Sequence, residues 1–204
     1  LSYWGGDERG SANVENPNSE DFPICVPIAD QCLHATGVAF AMQYRNQARA
    51  VVTTIGEGGT SQGDFYEAIN LAGAWKLPVV FVVNNNQWAI STPISEQTAC
   101  KTIAQKAIGA GIDGVQVDGN DVIAVHHAMQ HALEKARAGK GPTLIEALTY
   151  RICDHTTADD ARRYIPQEEY QAAFEFEPLK RLRIYLEKNN LWSEEKEKTM
   201  LTEH

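Results

Sequence analysis

The sequence predicts an α/β fold: a mostly parallel sheet with helices on both faces, followed by a C-terminal helical extension. Two observations carry this prediction. Short apolar runs of strand character alternate with segments of helical period, which implies parallel strands covered on both sides. From Gln167 onward the chain becomes more highly charged and helical, with Leu179, Leu182 and Leu186 as an apolar stripe.

The elements follow in order. Residues 1–23 are polar and turn-rich (Gly5-Gly6, Asn16-Pro17-Asn18, Asp21-Phe22-Pro23) and read as an extended surface segment. Residues 31–45 form a helix in which Ala35, Gly37, Ala39 and Ala41 permit close packing, suited to a subunit interface. A strand at 50–55, a helix at 63–76 and a strand at 79–83 follow. Residues 112–119 read as a short strand, and Asp121 caps the next helix. Val122, Val125, Met129, Ala132 and Ala136 recur at spacings of three and four, so that helix buries one face. Gly139-Lys140-Gly141-Pro142 stops it. A strand at 143–150 leads into a polar loop, Cys153 to Arg163. The division is a domain over 1–165 and a helical extension over 166–204.

The formal net charge of −9 argues against bulk binding to nucleic acid or to an anionic membrane. The longest clean apolar run, Leu77 to Val83, is far shorter than the ~20 residues that span a bilayer as a helix. Residues 1–7 lack the basic and apolar regions of a secretory signal, and the Leu1 start reads as that of a fragment. Cys25, Cys32, Cys100 and Cys153 form no Cys-x-x-Cys pair and are read as reduced thiols, which places the protein in a cytoplasmic compartment.

The chemistry concentrates in two pieces. Gly56-Glu57-Gly58 follows the first strand of the pair, and Asn85-Asn86 follows the second, with residues 59–84 between. In open parallel sheets ligands bind beyond the carboxyl ends of the strands, where both pieces lie. A P-loop requires Gly-x-x-x-x-Gly-Lys-Ser/Thr, but Gly58 to Gly63 is followed by Asp64-Phe65. A dinucleotide fingerprint requires Gly-x-Gly-x-x-Gly, but the sixth position here is Ser61, and Glu57 would repel a bare pyrophosphate. A carboxylate beside a phosphate makes sense across a cation. Mg²⁺ takes oxygen ligands, and Glu57, the Asn86 amide oxygen and a backbone carbonyl near Trp88 would supply three. Gly58 and Gly59 would leave room for a phosphate to approach backbone N–H groups. The plainer alternative is a glycine-rich turn before an ordinary helix, with Asn84-Asn85-Asn86 as a second turn. His126, His127 and His131 read as surface or structural, since no zincin motif completes them. His155 lies in a loop with Asp159 and Asp160, where a histidine has no evident packing role.

The two pieces together resemble the thiamine diphosphate motif. The whole chain resembles the α subunit of the E1 component of 2-oxo acid dehydrogenase complexes, most closely the bacterial pyruvate dehydrogenase type. The resemblance is carried by residues 56–68, 85–91, 105–107, 117–121 and 141–146, and by His155-Thr156-Thr157-Ala158-Asp159-Asp160 as the active-site loop. It implies that Glu57, Asn86 and the backbone oxygen of Trp88 bind Mg²⁺, and that Gly58 and Gly59 line the diphosphate of thiamine diphosphate. It also implies that Val26-Pro27-Ile28 meets the aminopyrimidine through backbone groups, with Ile28 as an apolar prop. His155 would lie near the diphosphate and assist acyl transfer, and Arg151 would position its loop. The chain departs from the family pattern at Glu57 (more often Asp), Asn84, Asp154 and Ile165. The implied activity is oxidative decarboxylation of pyruvate with acetyl transfer to the lipoyl domain of E2, within an α2β2 tetramer whose β subunit completes the site. A branched-chain 2-oxo acid or acetoin enzyme is the near alternative, and an NAD-binding dehydrogenase domain the remote one. The 204 residues alone are expected to be inactive.

Overall fold

The computed structural model describes residues 26–203. The expected surface segment at 1–23, and Cys25, lie outside the described residues. Helix α1 (Asp30–Tyr44) precedes strand β1 (Val51–Gly56), a single 3₁₀ turn (Glu57–Ser61), helix α2 (Gly63–Ala74) and strand β2 (Val79–Asn85). A minimal hairpin follows, β3 (Trp88–Ala89) and β4 (Thr92–Pro93), with short helices α3 (Ile94–Gln97) and α4 (Lys106–Gly109). Strand β5 (Asp113–Asp118), helix α5 (Val122–Arg137) and strand β6 (Thr143–Leu148) complete the α/β part. Helices α6 (Gln167–Ala173), α7 (Pro178–Lys188) and α8 (Glu194–Glu203) form the extension.

Among the described residues, four long strands make one parallel sheet in the order β1-β2-β6-β5. Parallel strands cannot be joined by tight hairpins, so α2 and α5 serve as the crossovers. On one face Ile55, Val79, Phe81, Val83 and Leu144 pack against α1 and α2 through Ala35, Ala39, Phe65, Ala68, Ile69 and Ala72. On the other, Val80 and Ile145 meet Ala132 and Ala136 of α5. Strand β2 is therefore buried on both faces, which is why it reads as an unbroken apolar run. The alanines of α1 and α2 face each other across the first layer, as the small-residue reading of 35–41 anticipated for Ala35 and Ala39. Gly37 and Ala41 instead remain exposed.

Two periodicity readings need correction. Asp121 does cap α5, its Oδ1 accepting from the Ile123 and Ala124 N–H groups. Of the expected buried face, however, only Ala132 and Ala136 are fully covered, and Val122 is exposed. In α7 no residue is buried, and Leu179 of the Leu179-Leu182-Leu186 stripe is exposed. The extension nevertheless touches the α/β part, where Arg181 donates to Asp118 at 2.7 Å. Among the described residues no helix is long and apolar enough to cross a membrane. Cys32, Cys100 and Cys153 are free thiols. Burial pushes the Cys32 thiol up to about 11, so it stays protonated and inert.

Candidate functional site

Register brings the two halves of the motif together. Ile55 pairs with Val83 and Gly56 with Asn84, so β1 and β2 end side by side. Glu57 is the first residue beyond β1 and is 2% exposed. Its Oε2 accepts the backbone N–H of Asn86, just beyond β2, at 3.2 Å. Its Oε1 is buried with no hydrogen-bond partner among the described residues. A carboxylate oxygen taken from water and left unpaired is costly, and a cation is the natural compensation. Asn86 Oδ1 accepts from the Trp88 N–H at 3.1 Å, which closes the turn and leaves one lone pair. The Trp88 carbonyl accepts from Arg151 Nη1 at 3.2 Å and likewise keeps one lone pair.

These three groups form a hard-oxygen set suited to Mg²⁺ in donor type. Among the described residues no group of three or more His, Cys, Asp or Glu could hold a metal. A cation here therefore depends on amide and backbone oxygens alongside the single carboxylate. Asn85 serves a different purpose. It is buried, donates through Nδ2 to Glu146 Oε1 at 2.6 Å, and accepts from the Gln87 N–H and Nε2. Glu146 Oε2 in turn accepts the Ala104 N–H at 3.0 Å. Glu146 thus fixes Asn85, and with it the turn that presents Asn86.

The glycines have a packing role as well. A Cβ on Gly58 would stand 2.6 Å from Ala89 Cβ, and one on Gly59 would stand 2.7 Å from Ile55 Cγ1. The same Gly59 Cβ would lie 3.1 Å from Ile28 Cγ2, so Ile28 sits against the motif turn. Ile28 is otherwise about three-fifths exposed (61%), leaving apolar surface open beside Gly59, and Val26 is likewise exposed (62%).

Arg151 organises the third wall. Its guanidinium donates to the carbonyls of Trp88, Ile90 (2.7 Å) and Cys153 (3.1 Å) and to the Tyr164 hydroxyl (2.5 Å). Ile90 has φ 54°, a left-handed conformation that a β-branched residue resists, and the Arg151 contact holds it there. The Tyr164 hydroxyl donates to Asp159 Oδ2 (2.5 Å), which also accepts the His155 N–H (2.8 Å). Asp154 Oδ1 accepts the Ala161 N–H at 2.8 Å, and Ile165 packs with Ala161 and Trp88. The departures at 154 and 165 thus have local partners. The His155 residue is exposed, and its position is set through its backbone. The structure joins Glu57, Gly58, Gly59, Asn86, Trp88 and Ile28 directly, whereas His155 connects only through Asp159, Tyr164 and Arg151.

Burial, together with its hydrogen bond to Asp159, raises the Tyr164 phenol to about 12. The Tyr164 hydroxyl, with the His155 N–H, lowers Asp159 below its usual range. A raised folded-state value for a phenol stabilises the loop below pH ~10 and is lost as pH climbs toward 12. The depressed carboxylate stabilises it above pH ~3.9 and is lost as pH falls through its lowered value. The latch is therefore intact across the neutral range. Tyr164→Phe removes one hydroxyl shared by two partners and should weaken loop closure by about 1 kcal/mol. Hydrogen exchange at residues 154–163 should accelerate several-fold, and unchanged exchange would show that the latch does not hold the loop.

A parallel sheet covered on both faces, with a buried carboxylate and an amide side chain at neighbouring strand ends, defines the chain as an α/β protein with polar groups gathered at the carboxyl edge of its sheet. The family model described as "Dehydrogenase E1 component" matches residues 2–204, and the chain belongs to that family. A Mycobacterium tuberculosis 3-methyl-2-oxobutanoate dehydrogenase subunit alpha is 52% identical over 172 residues, 84% of this chain and 47% of the relative. A Staphylococcus aureus pyruvate dehydrogenase E1 component subunit alpha is 50% identical over 175 residues, 85% of this chain and 47% of the relative. The chain thus spans about half the length of these curated relatives. A solved Mycobacterium smegmatis structure, described as that of "a putative thiamin diphosphate-dependent enzyme", superposes with TM-score 0.53 at 29% identity. That match covers 67% of this chain and 25% of the other.

Sequence reasoning missed three features. The β3–β4 hairpin has two-residue strands, too short for a periodic signal. Glu146 and Lys106 are buried charges inside otherwise apolar stretches, Leu144-Ile145-Glu146 and Ile103-Ala104-Gln105-Lys106-Ala107. A lone charge on an apolar segment was the available signal.

Proposed function

We propose that this chain is the diphosphate-anchoring part of a pyruvate dehydrogenase E1 α subunit, which decarboxylates pyruvate oxidatively and passes the acetyl group to a lipoyl domain. The observation that carries it is the buried Glu57 with one oxygen on the Asn86 N–H and the other unpartnered, in a chain of the dehydrogenase E1 family. Glu57, Asn86 and the Trp88 carbonyl would hold Mg²⁺, and Gly58 and Gly59 would line the diphosphate. Val26 and Ile28 offer the exposed apolar surface on which the aminopyrimidine end would rest. When bound, thiamine diphosphate supplies a carbon nucleophile toward the 2-carbonyl and an electron sink as CO₂ departs.

The chain's own residues do the rest. Glu57 supplies the negative charge opposite the metal, and Glu146 keeps Asn86 aimed by fixing Asn85. Arg151 and Tyr164 hold the loop carrying His155, whose imidazole would move a proton during acyl transfer. The β subunit and the lipoyl domain of E2 would be the partners, and the cytoplasm the compartment.

Calorimetric titration of thiamine diphosphate with Mg²⁺ into the full-length chain coexpressed with its β partner tests this reading. Mg²⁺-dependent binding is the expected result, and its absence in the assembled protein would overturn the reading. The 52% relative keeps a branched-chain 2-oxo acid as the second reading. Comparing turnover of pyruvate and 3-methyl-2-oxobutanoate decides between them.

A further inference from the structure

Four charged side chains are buried among the described residues: Glu57, Lys106, Glu146 and Arg151. No two of them form an ion pair with each other. Three are accounted for above: Glu57 faces the candidate metal position, Glu146 fixes Asn85, and Arg151 binds four acceptors around the loop. Lys106 remains. It is 6% exposed, sits at the start of α4, and directs its ammonium at Thr60 of the motif turn. Nζ donates to the Thr60 carbonyl at 2.7 Å and to Thr60 Oγ1 at 2.9 Å. Thr60 Oγ1 closes the turn by donating to the Glu57 carbonyl at 2.6 Å. The ammonium also lies 5.0 Å from the centre of the Tyr66 ring.

A neutral donor would suffice to hold Thr60. A buried ammonium carries a desolvation cost that hydrogen bonds to neutral oxygens offset only in part, and no described carboxylate lies within ion-pair distance of it. The turn it grips is the same one that presents Glu57, Gly58 and Gly59. Its field therefore acts close to where an anionic ligand would meet those residues, in a setting where water screens poorly.

We propose that Lys106 is a positioning residue for the diphosphate end of the cofactor. It holds the 57–61 turn in shape through Thr60, and its charge offsets the negative charge that a diphosphate brings next to Glu57. This rests on the functional reading given above. It predicts a dependence on ligand charge that packing alone would not produce.

The test uses full-length protein assembled with its β partner, with Mg²⁺, and two probes: thiamine diphosphate and thiamine monophosphate. Lys106→Met should weaken diphosphate binding on the order of tenfold or more, the scale of one poorly screened charge, and monophosphate binding distinctly less. Lys106→Gln, which keeps a donor near Thr60 without the charge, should behave like Lys106→Met. Lys106→Arg should restore most of the diphosphate affinity. Equal losses for both probes, full affinity in Lys106→Gln, or no loss in either neutral variant would overturn the proposal. If Lys106→Met does not assemble, the Gln and Arg variants carry the same comparison. Failure of the unmodified protein to bind either probe would instead overturn the functional reading, and this proposal with it.

Discussion

Glu57→Gln is expected to abolish Mg²⁺-dependent cofactor binding while leaving the ligand-free protein at least as stable as before. The substitution keeps an oxygen to accept the Asn86 N–H and removes a buried negative charge whose other oxygen has no partner. A neutral amide is far cheaper to bury than an unpaired carboxylate. The loss in metal-dependent affinity should exceed the ~10–100-fold typical of removing an outer-shell partner, because the charge itself is gone. Thermal melts with and without Mg²⁺ and thiamine diphosphate would show both effects. Ligand at a hundred times its dissociation constant stabilises a protein by about 2.7 kcal/mol, an increment the variant should lack. A Glu57→Gln protein that still shows the Mg²⁺-dependent shift would remove Glu57 from the metal site.

The second large effect lies at Glu146, which touches no candidate ligand. Glu146→Leu leaves the Asn85 amide and the Ala104 N–H buried without acceptors, at about 1–3 kcal/mol each. The combined loss of roughly 2–6 kcal/mol is a large share of an ordinary domain's ~5–15 kcal/mol. The thermal midpoint of the assembled protein should fall by many degrees. Glu146→Gln, which retains an acceptor, should fall less but still weaken cofactor binding through a loosened Asn85. Wild-type stability in the leucine variant would mean that the two donors find other partners.

Much of this arrangement was legible in the chain. Strands β1, β2, β5 and β6 announce themselves because their apolar runs are bounded by glycine, proline and asparagine, and their ends fall within two residues of the sequence reading. The pairing of Glu57 with Asn86 was legible because parallel strands joined by one crossover must end on the same edge. What periodicity could not convey is whether anything covers the face it defines. Val122 and Leu179 stand at apolar positions of helical spacing, yet both are exposed. The glycine signal was ambiguous for a related reason. Openness toward a phosphate and close approach to Ala89 and Ile55 require the same missing Cβ. The roles of Lys106 and Arg151 depend on contacts 46 to 63 residues away, which no local pattern encodes.

The strand order β1-β2-β6-β5 sets a timetable for the emerging chain. Strand β6 comes last in sequence yet lies between β2 and β5. Until residue 148 is available, β2 lacks its β6 partner on one edge, and β5 lacks the one neighbour it has among the described residues. The Asn85–Glu146 bond spans 61 residues and closes only at that moment. Asn86 is therefore aimed late, by the same docking event that seals the sheet. During synthesis the unpaired edge of β2 is a surface open to pairing with other chains.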